Sequence, residues 1–278
     1  RIKPKLLRDV LPENNDGKSL IPQLLSKSAE EFIVLSQALY DLGYKTVNWN
    51  LGCPYPMVAK KQRGSGLLPY PERIDAILEK VLSAIANRLS VKVRLGRFQK
   101  EELLTLIPIF NRYPLTEIII HPRTGAQMYT GQVDLDAFQT CACQSVHPVV
   151  YNGDIDSLKS FLDLKNKLSN ISSWMIGRGI LANPFLAEII KSGQENIADP
   201  LTRFKTFHDM LYERYAERLY GPSHLLKRMK GLWGYLARHL EKGDELLKQI
   251  RKSVNTKRYH KIVNTYFEQG GGWLRQIE

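Results

Sequence analysis

Cys53 stands in Asn50-Leu51-Gly52-Cys53-Pro54, at the end of an apolar run and ahead of Gly64-Ser65-Gly66-Leu67-Leu68, with Lys60, Lys61 and Arg63 in between. An ordinary thiol titrates near ~8.5, so on an exposed, mobile glycine-rich loop it is mostly protonated at neutral pH and can serve as a general acid. Two other readings stay open on the residues alone. One is a thiolate nucleophile, which needs a neighbouring cation or histidine. The other is an inert buried thiol, since free cysteine is among the most buried residue types. Further residues with chemical capacity recur at a near-regular interval: Gln23, Asn50, Lys92, His121, Asn152 and Gly177, separated by 27, 42, 29, 31 and 25 positions. Each closes a short apolar run. Any one of them alone reads as a local cap or hydrogen bond. Six in succession point to a shared site, because barrel enzymes assemble their chemistry at the carboxyl ends of strands.

The runs that end in these residues have strand length and alternate with longer stretches of helical period, the pattern of βα units around a parallel sheet. Strands are expected at 19–24, 46–50, 89–95, 116–121, 147–152 and 172–176, with amphipathic helices such as 29–42 and 71–87 between them. A (β/α)8 TIM barrel repeats every ~31 residues, so the interval fits, and the long second interval leaves room for a loop insertion. Six strands are visible where a closed barrel needs eight, so two more are expected upstream. The opening residue, Arg1 rather than Met, agrees with a missing start. From about residue 197 the strand signal stops and helices are expected at 200–219, 222–240, 244–254 and 256–268, separated by Gly221-Pro222 and Gly243 and followed by Gly270-Gly271-Gly272. The expected division is therefore a catalytic barrel over 1–196 and an all-helical domain over 197–278.

Bulk composition narrows the class. The 278 residues are 43% hydrophobic and 24% charged, ordinary for a globular protein. No apolar run nears the ~18 residues of a membrane span. A net charge of +12 favours a polyanionic partner, since each cation that neutralises a phosphate releases counterions. The three cysteines form neither a metal spacing nor a disulfide framework, which points to the reducing cytoplasm, and Cys141 and Cys143 are expected to be packing residues. Nothing points to a protein partner.

At this level of detail a resemblance becomes specific. NLGCP followed by GSGLL, VKVRLG at 91–96, HPRTGAQMY at 121–129, YNGDI at 151–155 and MIGRG at 175–179 resemble, in order, the signature blocks of the tRNA-dihydrouridine synthase family. That resemblance implies an FMN-binding TIM barrel that reduces the C5=C6 bond of selected tRNA uridines, with NADPH reloading the flavin. It implies Gln23 at the polar edge of the isoalloxazine, Lys92 by its N1 and O2, and His121 as a further flavin contact. Asn152, Gly153, Asp154, Gly177 and Arg178 match the phosphate end of the cofactor, and Asn50, Arg94, Arg123 and Tyr129 the uracil side. Cys53 would give the proton to C5 while hydride reaches C6. The uridine must leave its stack to enter such a pocket, which calls for wide contact with the RNA.

The tail answers that need: residues 197–278 hold 16 Lys and Arg against 9 Asp and Glu, a net of +7. Lys227, Arg228 and Lys230 lie among apolar residues at helical spacing, which suits a phosphate-facing helix, and Lys60, Lys61 and Arg63 offer a second grip. The chain departs from the family at Pro56, where a lysine is common, and shows no first strand with an Ala-Pro-Met-like flavin contact. A flavin barrel for a small substrate would share Lys92 and Gly177-Arg178 without needing a basic helical domain, and a nucleic-acid-binding barrel without activity is the reading from another class.

Overall fold

The computed structural model describes residue 2 and residues 4–274, without the side chains of residues 4 and 5. Among these, six strands form one parallel sheet in chain order: β1 (Gln23–Leu24), β2 (Thr46–Leu51), β3 (Arg88–Gly96), β4 (Leu115–Thr124), β5 (Val149–Asn152) and β6 (Ser173–Met175). Each strand pairs with the next in sequence, so the order has no reversal point of a doubly wound sheet and is that of consecutive units of a (β/α) barrel. Helices α1 (Ala29–Asp41), α2 (Pro71–Leu82), α3 (Glu102–Phe110), α4 (Leu135–Gln144) and α5 (Leu158–Lys167) fall one in each crossover.

The period of two in each strand sorts its residues. Val47, Trp49 and Leu51 of β2, Leu89, Val91, Val93 and Leu95 of β3, and Ile118 and Ile120 of β4 are buried. The alternate positions carry Asn48 and Asn50, then Ser90, Lys92 and Arg94, then His121 and Arg123. Helix faces rich in leucine, isoleucine and phenylalanine are buried in the same unit, and Phe32 of α1 meets Trp49 of β2 edge-on at 5.9 Å. Each fully buried side chain of this kind contributes about 1.5–3 kcal/mol. The Ser28 hydroxyl caps α1 by accepting from the Glu31 amide at 3.2 Å, and the helix closes at Gly43, whose φ of +94° suits glycine.

Several boundaries differ from those expected. β1 is two residues long: Pro22 has no amide to give, and only its carbonyl joins the ladder, accepting from the Asn48 amide at 2.9 Å. α2 stops at Leu82, and Asn87, within its expected range, is instead held by the Tyr44 carbonyl at 2.7 Å. β4 runs on to Thr124 and so carries Arg123 as a strand residue. Cys141 is buried in α4, its thiol pushed up to about 12 by desolvation and by the Asp134 charge, but Cys143 is exposed and packs against nothing that would bury it, a correction to its expected role.

The chain divides into two compact units, one of residues 1–153 and 168–175, the other of 154–167 and 176–278. The second unit thus takes in α5, together with α6 (Arg178–Ala182) and α7 (Leu186–Ser192), ahead of α8 (Pro200–Arg218), α9 (Pro222–Leu236), α10 (Gly243–Lys252) and α11 (Thr256–Glu268). Its apolar core explains the grouping: Leu158, Phe185 and Ile189 pack with Phe204, Met229, Trp233, Ile250 and Val263. Within that core the Tyr259 hydroxyl accepts from Trp233 Nε1 at 2.7 Å and lies 2.6 Å from His208 Nε2. Its own proton therefore goes to Nε2, and His208 Nδ1 donates to Asp209 at 2.9 Å. Burial keeps His208 below its ordinary value. Among the described residues no helix is long and apolar enough to cross a membrane, and no group of acidic, histidine or cysteine residues could hold a metal.

Candidate active site

Parallel register places Gln23 beside Asn48 and Asn48 beside Ser90, then Asn50 beside Lys92, and Arg94 beside His121. The amides link up. Asn48 donates to Ser90 Oγ at 2.8 Å, Gln23 Nε2 to Asn48 Oδ1 at 2.8 Å, and Asn50 Nδ2 to Gln23 Oε1 at 2.7 Å. That leaves Asn50 Oδ1 to accept from the Gly52 and Cys53 amides at 3.0 and 2.9 Å. Asn50 thereby folds the turn that carries Cys53.

The turn is held from its other side. The Cys53 carbonyl accepts from the Ser65 amide and hydroxyl, both at 3.0 Å. Gly64 has φ +56°, and a Cβ there would lie 2.7 Å from that of Cys53; at Gly66 it would lie 2.1 Å from the Ala59 carbonyl oxygen. Only glycine admits these approaches. Gly64–Leu68 is accordingly buried, packed beneath the half-buried Cys53. The expected mobile glycine-rich loop is a packed segment, with the short helix Pro56–Ala59 inside it.

Lys92 is half-buried, and among the described residues its ammonium has no hydrogen-bond acceptor and no ion pair. Burial first, and the Arg94 charge second, hold its pKa down to about 8. A cation so placed, short of counter-charge, fits a ligand that brings negative charge.

The two arginines expected on the uracil side are engaged otherwise. Arg94, 2% exposed, donates from Nε to the Gly52 carbonyl at 3.0 Å and from Nη1 to the Thr124 and Met128 carbonyls at 2.8 and 2.6 Å, with Tyr129 5.2 Å from its guanidinium. Arg123, 3% exposed, donates to the Gly131 carbonyl at 3.3 and 2.7 Å and meets His121 Nε2 at 3.3 Å. A guanidinium only donates, so Nε2 is the acceptor there and the ring proton sits on Nδ1. These arginines tie the strand-end turns together. Tyr129 remains 39% exposed, 6.3 Å from the His121 ring.

Asn152 donates to the Met175 carbonyl at 2.8 Å, across β5 and β6. A Cβ on Gly153 would lie 3.2 Å from Val133 and 3.5 Å from His121. In the second unit Arg178 pairs with Asp154 at 3.3 Å, Asp154 has φ +42°, and Gly177 precedes α6. Lys60 and Lys61 are exposed, while Arg63 pairs with Glu31 at 3.2 Å. On α9, Lys227 and Arg228 are exposed. Lys230 is not phosphate-facing as expected: its ammonium donates to the Arg251 and Ser253 carbonyls at the end of α10, where a cation suits the helix dipole.

Sequence reasoning passed over Asn48, Ser90, Ser65 and Arg97. Asn48 and Ser90 had a signal, a polar residue two positions before a site residue on the same strand face. Arg97, which donates to the Pro54 carbonyl at 3.3 Å, had none.

A parallel sheet in barrel order, with a packed cysteine turn after one strand and an uncompensated lysine on the next, defines an α/β enzyme of the βα-barrel class. The chain belongs to the dihydrouridine synthase (Dus) family, whose model matches residues 3–269. It is 28% identical over 268 residues to a probable tRNA-dihydrouridine synthase of Staphylococcus epidermidis, covering 94% of this chain and 79% of that protein. It is 31% identical over 175 residues to tRNA-dihydrouridine synthase B of Pasteurella multocida, covering 61% of this chain and 51% of that one. Among solved structures, morphinone reductase overlaps 60% of this chain and 48% of its own at a TM-score of 0.44 and 13% identity. The old yellow enzyme of Trypanosoma cruzi overlaps 58% and 48% at a TM-score of 0.42 and 16% identity.

Proposed function

We propose that this chain is a flavin-dependent tRNA-dihydrouridine synthase that reduces the C5=C6 bond of uridine in tRNA, with Cys53 as proton donor. The observation that carries the reading is Lys92, a half-buried ammonium without a counter-charge among the described residues, in register with the asparagine that holds Cys53. FMN, when bound, would supply the hydride for C6 of the uracil, with NADPH as the source of its electrons. Lys92 would hold the pyrimidine end of the isoalloxazine, where negative charge gathers. Gln23 lies within one hydrogen bond of Asn50 and shares that polar edge. His121, its Nε2 turned toward Arg123, stands on the neighbouring strand beside Arg94.

Cys53 gives the proton to C5, and Asn50 and Ser65 hold the thiol's backbone from both sides so that delivery is directional. Tyr129 offers a half-open aromatic face beside Arg94 for the uracil ring. Lys60, Lys61, Lys227 and Arg228 are exposed cations suited to RNA phosphates, in keeping with a role in the cytoplasm, where tRNA is processed. The test combines an absorbance spectrum of the purified protein with nucleoside mass spectrometry of an unmodified tRNA transcript after incubation with NADPH. A flavin band and NADPH-dependent dihydrouridine are expected. A colourless protein that leaves FMN unbound, or a transcript without dihydrouridine, overturns the proposal.

A further inference from the structure

Beside the Cys53 turn the sheet-containing unit holds a cleft of about 710 Å³ that the chemistry above does not use. Its apolar wall is Leu95, Val133 and Leu135, and at its edge stands Phe98, an aromatic ring 66% exposed with the Arg97 guanidinium 5.2 Å from its centre. Gln127 contributes an oriented amide. Its Oε1 accepts from the Thr124 amide at 2.8 Å and lies 3.2 Å from the Thr124 hydroxyl, and among the described residues Nε2 has no acceptor. The charges at the rim disfavour an anion: Lys100 is paired with Asp134 at 2.8 Å, and Asp136 adds an uncompensated carboxylate. The occupant that suits this chemistry is flat, neutral, and able to accept a hydrogen bond at its edge.

The cleft and the cysteine turn share their supports. Arg97 donates to the Pro54 carbonyl at 3.3 Å, and the Gly125 and Ala126 amides donate to the Gly96 and Arg97 carbonyls, both at 2.8 Å. Gly125 in turn backs onto Ser65, where a Cβ would come within 2.4 Å of the hydroxyl that binds the Cys53 carbonyl. The cleft therefore adjoins the turn at which the target uridine would be held, within reach of a neighbouring nucleotide.

We propose that the cleft receives a second nucleobase, the neighbour of the target uridine, stacked on Phe98 and hydrogen-bonded by Gln127. This rests on the function proposed above and adds to it a contact that selects sequence context. Every base has a face to stack, but an amide donor and a nearby carboxylate reward some edges over others.

The test uses the full chain loaded with FMN and tRNA transcripts in which the residue on either side of the converted uridine is abasic. With wild-type protein one of the two abasic transcripts should show a KM raised by roughly 5- to 100-fold, the range expected when one stacked base is removed. Phe98→Ala should raise KM for intact tRNA similarly and erase the difference between intact and abasic transcripts, whereas Phe98→Trp should preserve it. Phe98 is largely exposed, so the Ala variant should fold, which its Tm checks. Dihydrouridine on intact tRNA establishes the underlying function independently. With that in hand, equal KM values for all three transcripts, or independent and multiplicative effects of Phe98→Ala and the abasic site, overturn the cleft assignment.

Discussion

Lys92→Met should stabilise the flavin-free protein while weakening its hold on flavin. Burial, reinforced by Arg94, lowers the Lys92 pKa from its ordinary 10.5 to about 8. The unfolded chain therefore binds this proton more tightly than the folded one, and at ~1.4 kcal/mol per pH unit the charged lysine costs the fold about 3 kcal/mol. The sign follows from proton counting. Between pH 8 and 10.5 the unfolded state carries more of the proton, so stability rises with pH across that window, and below pH 8 the full cost is present. Methionine keeps the stem and removes the charge. Calorimetry of the flavin-free proteins at pH 7 should put the variant's Tm above the parent's by on the order of 5–10 °C, and the gap should close near pH 10.5. A variant no more stable at pH 7, or a gap independent of pH, refutes the reasoning. With flavin the order reverses: Lys92→Met should lose affinity at pH 7, and the parent should lose affinity above pH 8 as its ammonium deprotonates.

Cys53→Ala should retain its flavin spectrum and its reduction by NADPH in stopped-flow absorbance while losing most dihydrouridine formation, and wild-type turnover in that variant would assign the proton to another donor. Replacing Lys227 and Arg228 together by Ala should flatten the plot of log K for tRNA against log salt by about 0.7–0.9 for each phosphate that the variant no longer neutralises. Lys230→Ala should leave that slope unchanged and lower Tm, because its ammonium caps α10; a changed slope would return it to the RNA surface. Tyr259→Phe should destabilise by about 1–3 kcal/mol in denaturant unfolding, since Trp233 Nε1 loses its buried acceptor and His208 Nε2 its donor.

The strand ends were legible because desolvated apolar runs must alternate with polar residues wherever one face of a strand meets a site. Asn50 could be picked out for that reason; Lys92 and His121 were picked out as polar residues on the same faces, although Lys92 is the central residue of β3 and His121 lies three residues short of the end of β4. The limits are equally physical. Gln23 opens a two-residue strand because Pro22 supplies only half a ladder bond, and the apolar run alone suggested a longer one. Asn48 and Ser90 showed themselves only as polar residues two positions before a site residue; that they bond each other, 42 residues apart, leaves no local trace. Lys230 has the spacing of a phosphate-facing cation, but its acceptors belong to another helix.

Arg94 and Arg123 carry the lesson furthest. A basic residue at a strand end suggests contact with substrate, yet both guanidiniums are occupied by carbonyls of the turns beyond the strands. Hydrogen bonds to neutral carbonyls leave a guanidinium's charge intact. Arg94 therefore does two things from one buried position. It fixes Gly52, next to Cys53, against the Thr124–Met128 turn, and its charge bears on Lys92, where it is the second cause of the lowered pKa. The Arg94 guanidinium and the Lys92 ammonium, two positions apart on one face of β3, gather positive charge there, which is the electrostatic condition a flavin-binding site requires.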